Sequence, residues 1–275
     1  MDNITIIFLG VVQGLTEFLP ISSSGHLVLF QTLFGLKEPQ LMFDIFLHMG
    51  TLLAVCIFLR SDLMGMIRDT WRFSVEIFEG RERLTSINRR PNVMLALWII
   101  TATIPTALIG VLFRSPLEAL FGNVQRVGLM MICTGLILSV SIFISATYAG
   151  RRDVGLLTSL AVGIAQGLAI IPGISRSGTT IVCGMACGME RELSARFSFL
   201  LSIPAIIGAM LLQLNFEGLS GPDIFPLLLG LVTSAISGFF ALKILMGAVR
   251  RGRLFYFAPY CWLVGLLIII FKYSL

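Results

Sequence analysis

Gly10–His26 reads GVVQGLTEFLPISSSGH, and Gly163–Thr179 reads GIAQGLAIIPGISRSGT. At a constant step of 153 residues, Gly10, Gln13, Gly14, Leu15, Ile21, Ser22, Ser24 and Gly25 fall on Gly163, Gln166, Gly167, Leu168, Ile174, Ser175, Ser177 and Gly178. Each copy is an apolar run broken by proline, Pro20 or Pro172, followed by a serine- and glycine-rich turn and a second apolar run. Such a break leaves backbone N–H groups unpaired at the start of the second run, which a bilayer tolerates only where protein, water or ligand satisfies them. The repeat therefore predicts a polar site.

The composition says what surrounds that site. With 56% hydrophobic residues, 13% charged residues and a mean hydropathy of +0.94, the chain is excluded from the ordinary soluble classes. Apolar blocks near 41–59, 93–113, 127–148, 197–214, 224–248 and 254–272 come close to the roughly 20 residues that cross hydrocarbon. The expectation is an all-α integral membrane protein, a single polytopic domain over 1–275, with about six transmembrane helices and two re-entrant helical hairpins. Five cysteines lie singly in apolar segments without zinc spacing and read as buried thiols. Only Asp2 precedes the first apolar run, so no cleaved leader is expected.

The net charge of +5 follows from topology and calls for no nucleic acid. The loop 60–92 carries Arg60, Arg68, Arg72, Arg81, Arg83, Arg89 and Arg90; Arg151, Arg152, Arg191, Arg196, Arg250, Arg251 and Arg253 form further clusters. The positive-inside rule puts these in the cytoplasm. The intervening stretches 31–40, 114–126 and 215–223 hold only Lys37, Arg114 and Arg126 and face outward. The first hairpin then begins and ends outside, and three spans separate it from the second, which inverts the repeat: about 1–60 against about 155–215. The similarity continues from Phe43–Val55 to Phe197–Ala209 at a step of 154. Interrupted helices entering from opposite faces are a known way of building a midplane site. In the loop 60–92, Trp71, Phe73, Ile77 and Phe78 among arginines predict an interfacial amphipathic helix.

Ionisable residues inside apolar stretches are costly and mark function. Glu17, His26 and Arg176 are the three in the repeat. Arg176, with Ser175, Ser177, Thr179, Thr180 and free N–H groups, describes an anion cradle; the alternative is an Arg176–Glu17 pair that staples the hairpins together. The other turn sets Ser22, Ser23 and Ser24 beside His26, with Glu17 upstream. A serine attacks when a base takes its proton, and a histidine oriented by a carboxylate is the usual device. His48 follows Asp44 by four residues, which predicts a supporting Asp44–His48 contact. Gln13 and Gln166 suit either the re-entrant backbone or a ligand.

These residues closely resemble the undecaprenyl-diphosphate phosphatase, or bacitracin-resistance, family, through QGLTEFLPISSSGH at 13–26 and PGISRSGTT at 172–180, and the span pattern extends the resemblance over the whole chain. The resemblance implies a multi-pass enzyme of the bacterial cytoplasmic (inner) membrane. Such an enzyme removes the terminal phosphate of undecaprenyl diphosphate, regenerates the lipid carrier for peptidoglycan synthesis and confers bacitracin resistance. It assigns the glutamate motif to Gln13 and Glu17, the serine and histidine to Ser23 and His26, and the arginine motif to Ser175, Arg176 and Thr180. It also implies a divalent cation, Mg2+, held by Glu17, although glutamine stands at Gln13 where many members have glutamate. Ser23 activated by His26, direct attack by His26, and attack by water all stay open as nucleophiles. The lipid tail calls for a cleft open sideways to membrane lipid, with the site facing the periplasm, and a homodimer is compatible. The rival reading is a lipid or anion transporter or flippase built on the same inverted repeat.

Overall fold

The computed structural model describes residues 2–36, 41–113, 123–144, 154–213 and 224–270. Lys37, Arg114, Arg151 and Arg152, with most of the outward stretches expected above, lie outside the described residues. The described residues are all-α: α1 (Asn3–Phe18), α2 (Ser23–Leu33), α3 (Leu41–Phe58), α4 (Arg60–Phe78), α5 (Pro91–Leu112), α6 (Val124–Ile144), α7 (Leu156–Leu168), α8 (Arg176–Ala186), α9 (Arg191–Gln213), α10 (Ile224–Arg250) and α11 (Ala258–Ile270).

Among the described residues, four helices, α5, α6, α9 and α10, are long and apolar enough to cross a membrane, or five if the bent α3–α4 pair counts as one. The other two of the expected spans, 41–59 and 254–272, are shorter helices. The chain bends by 74° between α3 and α4, and the last apolar block opens with a 3-10 turn, Leu254–Phe257, before α11. The long helices are apolar on their outer faces too, as at Ile100, Ile104, Leu108 and Val111 of α5, the pattern of a helix that contacts lipid. The chain is a multi-pass membrane protein. α4 carries the expected amphipathicity, burying Met66 and Phe73 and exposing Trp71 and Phe78.

Ion pairs tie several of the arginines to neighbouring helices. Arg196 of α9 pairs with Asp62 of α4, Arg90 with Glu76, and Arg250 of α10 forks onto Glu192 of α9 at 3.0 and 2.7 Å. Asn92 adds a 2.7 Å bond to Asp69.

The repeat positions the site through its glycines. α1 lies along α10, and α7 along α5. A Cβ on Gly10 would sit 1.9 Å from Thr233 Oγ1, and one on Gly14 2.0 Å from Ser237 Oγ. At the equivalent places in α7, Gly163 would meet the Ala102 carbonyl at 2.1 Å and Gly167 the Ile109 side chain at 2.5 Å. Without a strong solvent drive between apolar helices in lipid, such close approaches hold the helices together. The glycines shared by the two copies are therefore packing points that fix where each broken hairpin ends.

Candidate active site

α1 stops at Phe18, just ahead of Pro20, whose ring disfavours helix in the preceding residue. The second helix of each hairpin then starts on the same serine device. Ser22 caps α2 by accepting from the Gly25 N–H at 3.3 Å, and Ser175 caps α8 by accepting from Gly178 at 3.2 Å. The two turns touch. Gly173 N–H donates to Ser24 Oγ at 3.4 Å, and Ser177 Oγ donates to the Leu19 carbonyl at 3.4 Å. Thr134 of α6 pins the second turn, donating to the Gly173 carbonyl at 2.9 Å and accepting from the Ser175 N–H at 3.0 Å.

Glu17 is the hub, with its side chain only 5% exposed. One oxygen, Oε1, pairs closely with Arg176 Nη2. The other, Oε2, accepts from Ser23 Oγ at 2.6 Å and from Gln13 Nε2 at 3.0 Å. His48 Nε2 stands 3.9 Å from that same oxygen. Ser23 and Arg176 occupy equivalent positions of the repeat, so one side chain from each copy arrives on one carboxylate. The Glu17–Arg176 pair is the expected staple between the hairpins.

His26 departs from its expected place. Its ring Nδ1 is 2.7 Å from the Ser22 carbonyl, which can only accept, so Nδ1 carries the hydrogen. Nε2 is then left to accept from the Tyr260 hydroxyl at 2.7 Å, with the two rings stacked. Both nitrogens are committed, the residue does not line the cavity, and Ser23 donates to Glu17 instead. What His26 does hold is Ser22, whose φ of +70° lies in the left-handed region, a conformation costing about 1–3 kcal/mol for a residue other than glycine. His48 makes the expected contact with Asp44, through that residue's backbone. Its Nδ1 donates to the Asp44 carbonyl at 2.7 Å, while the Asp44 carboxylate accepts from Gln31 at 2.8 Å.

A cavity of about 400 Å3 opens beside the hub. Its polar end is lined by Glu17, Ser22, Ser23, Ser24, His48, Gln166, Ser175 and Arg176, and its apolar side by Ala107, Gly110 and Val111 of α5 and Ala205, Gly208 and Ala209 of α9. Gln13, Ser177, Thr179 and Thr180 do not line it. Gln13 instead orients Glu17, Ser177 bonds the neighbouring turn, and Thr180 donates to the Arg176 carbonyl at 2.8 Å. The Thr179 hydroxyl is buried with no partner among the described residues.

Sequence reading missed Thr134, Tyr260 and the approach of His48 to Glu17. The last had a signal: His48 aligns with Ser202 at the step of 154, and the Ser202 carbonyl accepts from Arg176 Nη1 at 3.5 Å. Equivalent positions of α3 and α9 therefore face the two halves of one ion pair.

The profile of the family described as bacitracin resistance protein BacA matches residues 6–267. The chain belongs to the bacitracin resistance protein BacA family. Curated proteins similar to this BacA-family chain include the undecaprenyl-diphosphatase of Desulfatibacillum aliphaticivorans, 43% identical over 98% of this chain and 99% of that one. The undecaprenyl-diphosphatase of Desulforapulum autotrophicum is 44% identical over 96% of both. The protein of that name from Methanosphaera stadtmanae is 41% identical over 98% of both.

The divalent cation expected from the resemblance would depend on the donor set of this BacA-family site. Mg2+ takes near-octahedral oxygen ligation, usually from one or two carboxylates, waters and substrate phosphates. Glu17 is the one carboxylate lining the cavity, and Arg176, Ser23 and Gln13 occupy its two oxygens. Among the described residues no group of three His, Cys, Asp or Glu side chains comes together. These residues do not fit a resident cation.

Proposed function

We propose that this chain hydrolyses undecaprenyl diphosphate to the monophosphate and inorganic phosphate, regenerating the carrier lipid of peptidoglycan synthesis. Loss of free diphosphate lipid is the basis of bacitracin resistance in this reading. The observation that carries it is the 2.6 Å bond from the Ser23 hydroxyl to a buried carboxylate whose other oxygen holds Arg176. Nucleophile, base and anion-binding cation converge at the polar end of a cavity whose flank is apolar.

The roles follow from the chemistry. A transferring phosphoryl group needs an in-line nucleophile and donors already aimed at its oxygens. Arg176, the Ser24 and Ser175 hydroxyls and the free N–H groups at the start of α2 and α8 supply the donors. Ser23 is the nucleophile and Glu17 accepts its proton. His26 keeps Ser22 in its left-handed conformation and thereby aims the next residue, Ser23. The isoprenyl tail lies between α5 and α9 and leaves the cavity into lipid. No step in this scheme uses a metal. The arginine-rich loops lie in the cytoplasm and the site opens to the periplasmic side of the inner membrane, a placement supported by loop charge. The comparisons lend no support to the flippase alternative.

The test is phosphate release from farnesyl and undecaprenyl diphosphate by purified protein in detergent. Ser23→Ala and Arg176→Ala are expected to abolish release while remaining folded. A folded wild type that releases no phosphate from either lipid, with or without Mg2+, refutes the reading.

A further inference from the structure

Of the two histidines in the chain, His48 is the one that lines the cavity. Its Nδ1–H is spent on the Asp44 carbonyl, which leaves the lone pair of Nε2 directed into the site. Nε2 lies 3.9 Å from Glu17 Oε2, the oxygen to which Ser23 donates. One water bridges such a gap, and catalytic contacts commonly tighten when substrate binds. The two side chains differ in their access to water: 35% exposed for His48, 5% for Glu17.

Splitting a diphosphate into two phosphates at neutral pH releases a proton, and Glu17 is badly placed to keep or discard it. A protonated Glu17 no longer neutralises Arg176 and cannot accept from Ser23 in the next turnover. We propose that His48 is the outlet for the proton that Ser23 gives to Glu17. This inference rests on the phosphatase reading above. In the first half, Ser23 Oγ bonds to the terminal phosphorus, the bond from that phosphorus to the bridging oxygen breaks, and its electron pair leaves on the polyprenyl monophosphate. The Ser23 proton passes to Glu17 Oε2, then to His48 Nε2, and from there to water in the cavity. In the second half, a water oxygen bonds to phosphorus and the bond to Oγ breaks with its electrons on Oγ. One water proton returns to Oγ through Glu17, and the other stays on the released phosphate.

The surroundings leave this path to His48. Glu17 of α1 faces it, with Arg176 of α8 behind, and on its own helix the Asp44 carboxylate is engaged by Gln31. On the other helices packed against α3, Arg196 pairs with Asp62, Glu192 with Arg250, and Lys243 lies over Phe239.

The experiment compares wild type, His48→Ala and His48→Gln in phosphate release from farnesyl diphosphate, with and without imidazole at constant ionic strength. His48→Ala is expected to lose about 10²-fold in kcat, the scale of one proton-transfer group, with KM within about twofold. Added imidazole is expected to restore turnover to His48→Ala but not to His48→Gln, whose side chain fills the space. A structural role predicts neither the rescue nor the split between kcat and KM. A kcat for His48→Ala within about threefold of wild type, or a loss that imidazole does not restore in a variant as thermally stable as wild type, overturns the inference. If His48→Ala does not fold, His48→Gln decides: it keeps a donor for the Asp44 carbonyl, and wild-type kcat in it overturns the inference. A wild type that releases no phosphate overturns the phosphatase reading and this inference with it.

Discussion

Replacing Glu17 by glutamine keeps the volume of the hub and removes its charge, so it separates packing from chemistry. Two costs can be worked from the geometry. The first is catalytic: with no carboxylate 2.6 Å from Ser23 Oγ, the nucleophile keeps its proton. Losing such a base costs about 10²–10⁴ in rate, or ~3–5 kcal/mol of barrier at ~1.36 kcal/mol per decade. The second is structural, since Arg176 loses the carboxylate it pairs with. Stranding one member of a buried pair costs about 3–5 kcal/mol. The Arg176 side chain is 19% exposed toward the cavity, which puts the expected loss near the lower end, ~3 kcal/mol. The assay is phosphate release from farnesyl diphosphate alongside thermal unfolding in the same detergent. High phosphate in the buffer is expected to recover part of the stability, by giving Arg176 another anion, and none of the turnover. A folded Glu17→Gln protein with kcat within about tenfold of wild type would refute the assignment of Glu17 as base.

Other perturbations test other parts of the fold and site. Thr134→Val, nearly isosteric, unpairs the Gly173 carbonyl and the Ser175 N–H; a loss of about 1–3 kcal/mol for each buried group is expected, read as a lower melting temperature and faster amide exchange at Ser175. Gly163→Ala drives a Cβ to 2.1 Å from the Ala102 carbonyl and is expected to cost at least about 1–3 kcal/mol by overpacking. Gly247→Ala meets nothing within 4 Å and should be neutral or stabilising by up to about 1 kcal/mol; equal melting shifts for the two would contradict the packing role of the repeat glycines. Without substrate, the wild type is expected to bind no stoichiometric Mg2+ by calorimetry. Gln13→Glu, which sets a second carboxylate beside Glu17, is expected to acquire a site, and heat of binding from the wild type alone would contradict the donor-set argument.

The sequence by itself determined the class of fold and the neighbourhood of the chemistry, because both are properties of local pattern. Long apolar blocks have few alternatives to membrane helices, and a proline break before a serine-rich turn marks an interrupted helix wherever it packs. The repeat at a step of 153 identified both turns, and Glu17, His26 and Arg176 emerged as rare ionisable groups in apolar surroundings. The break between α3 and α4 was legible where the apolar block at 41–59 gives way to arginines, whereas the 3-10 turn at 254–257 was not, since mean hydropathy is blind to where a helix turns.

Only the tertiary structure decided the partners. Spacing placed His26 beside Ser23, yet direction is set by packing: the ring is spent on the Ser22 carbonyl and on Tyr260, a residue 234 positions away. His48, which spacing offered as a partner of Asp44, bonds that residue through its carbonyl, and only the packing turns its other nitrogen toward Glu17 on a different helix. Thr134 reaches the second turn from α6 across 39 and 41 residues. Period and composition record which face of a helix is polar. Which polar atom meets which depends on how closely the glycine-lined helices pack, and that distance is a property of the assembled bundle.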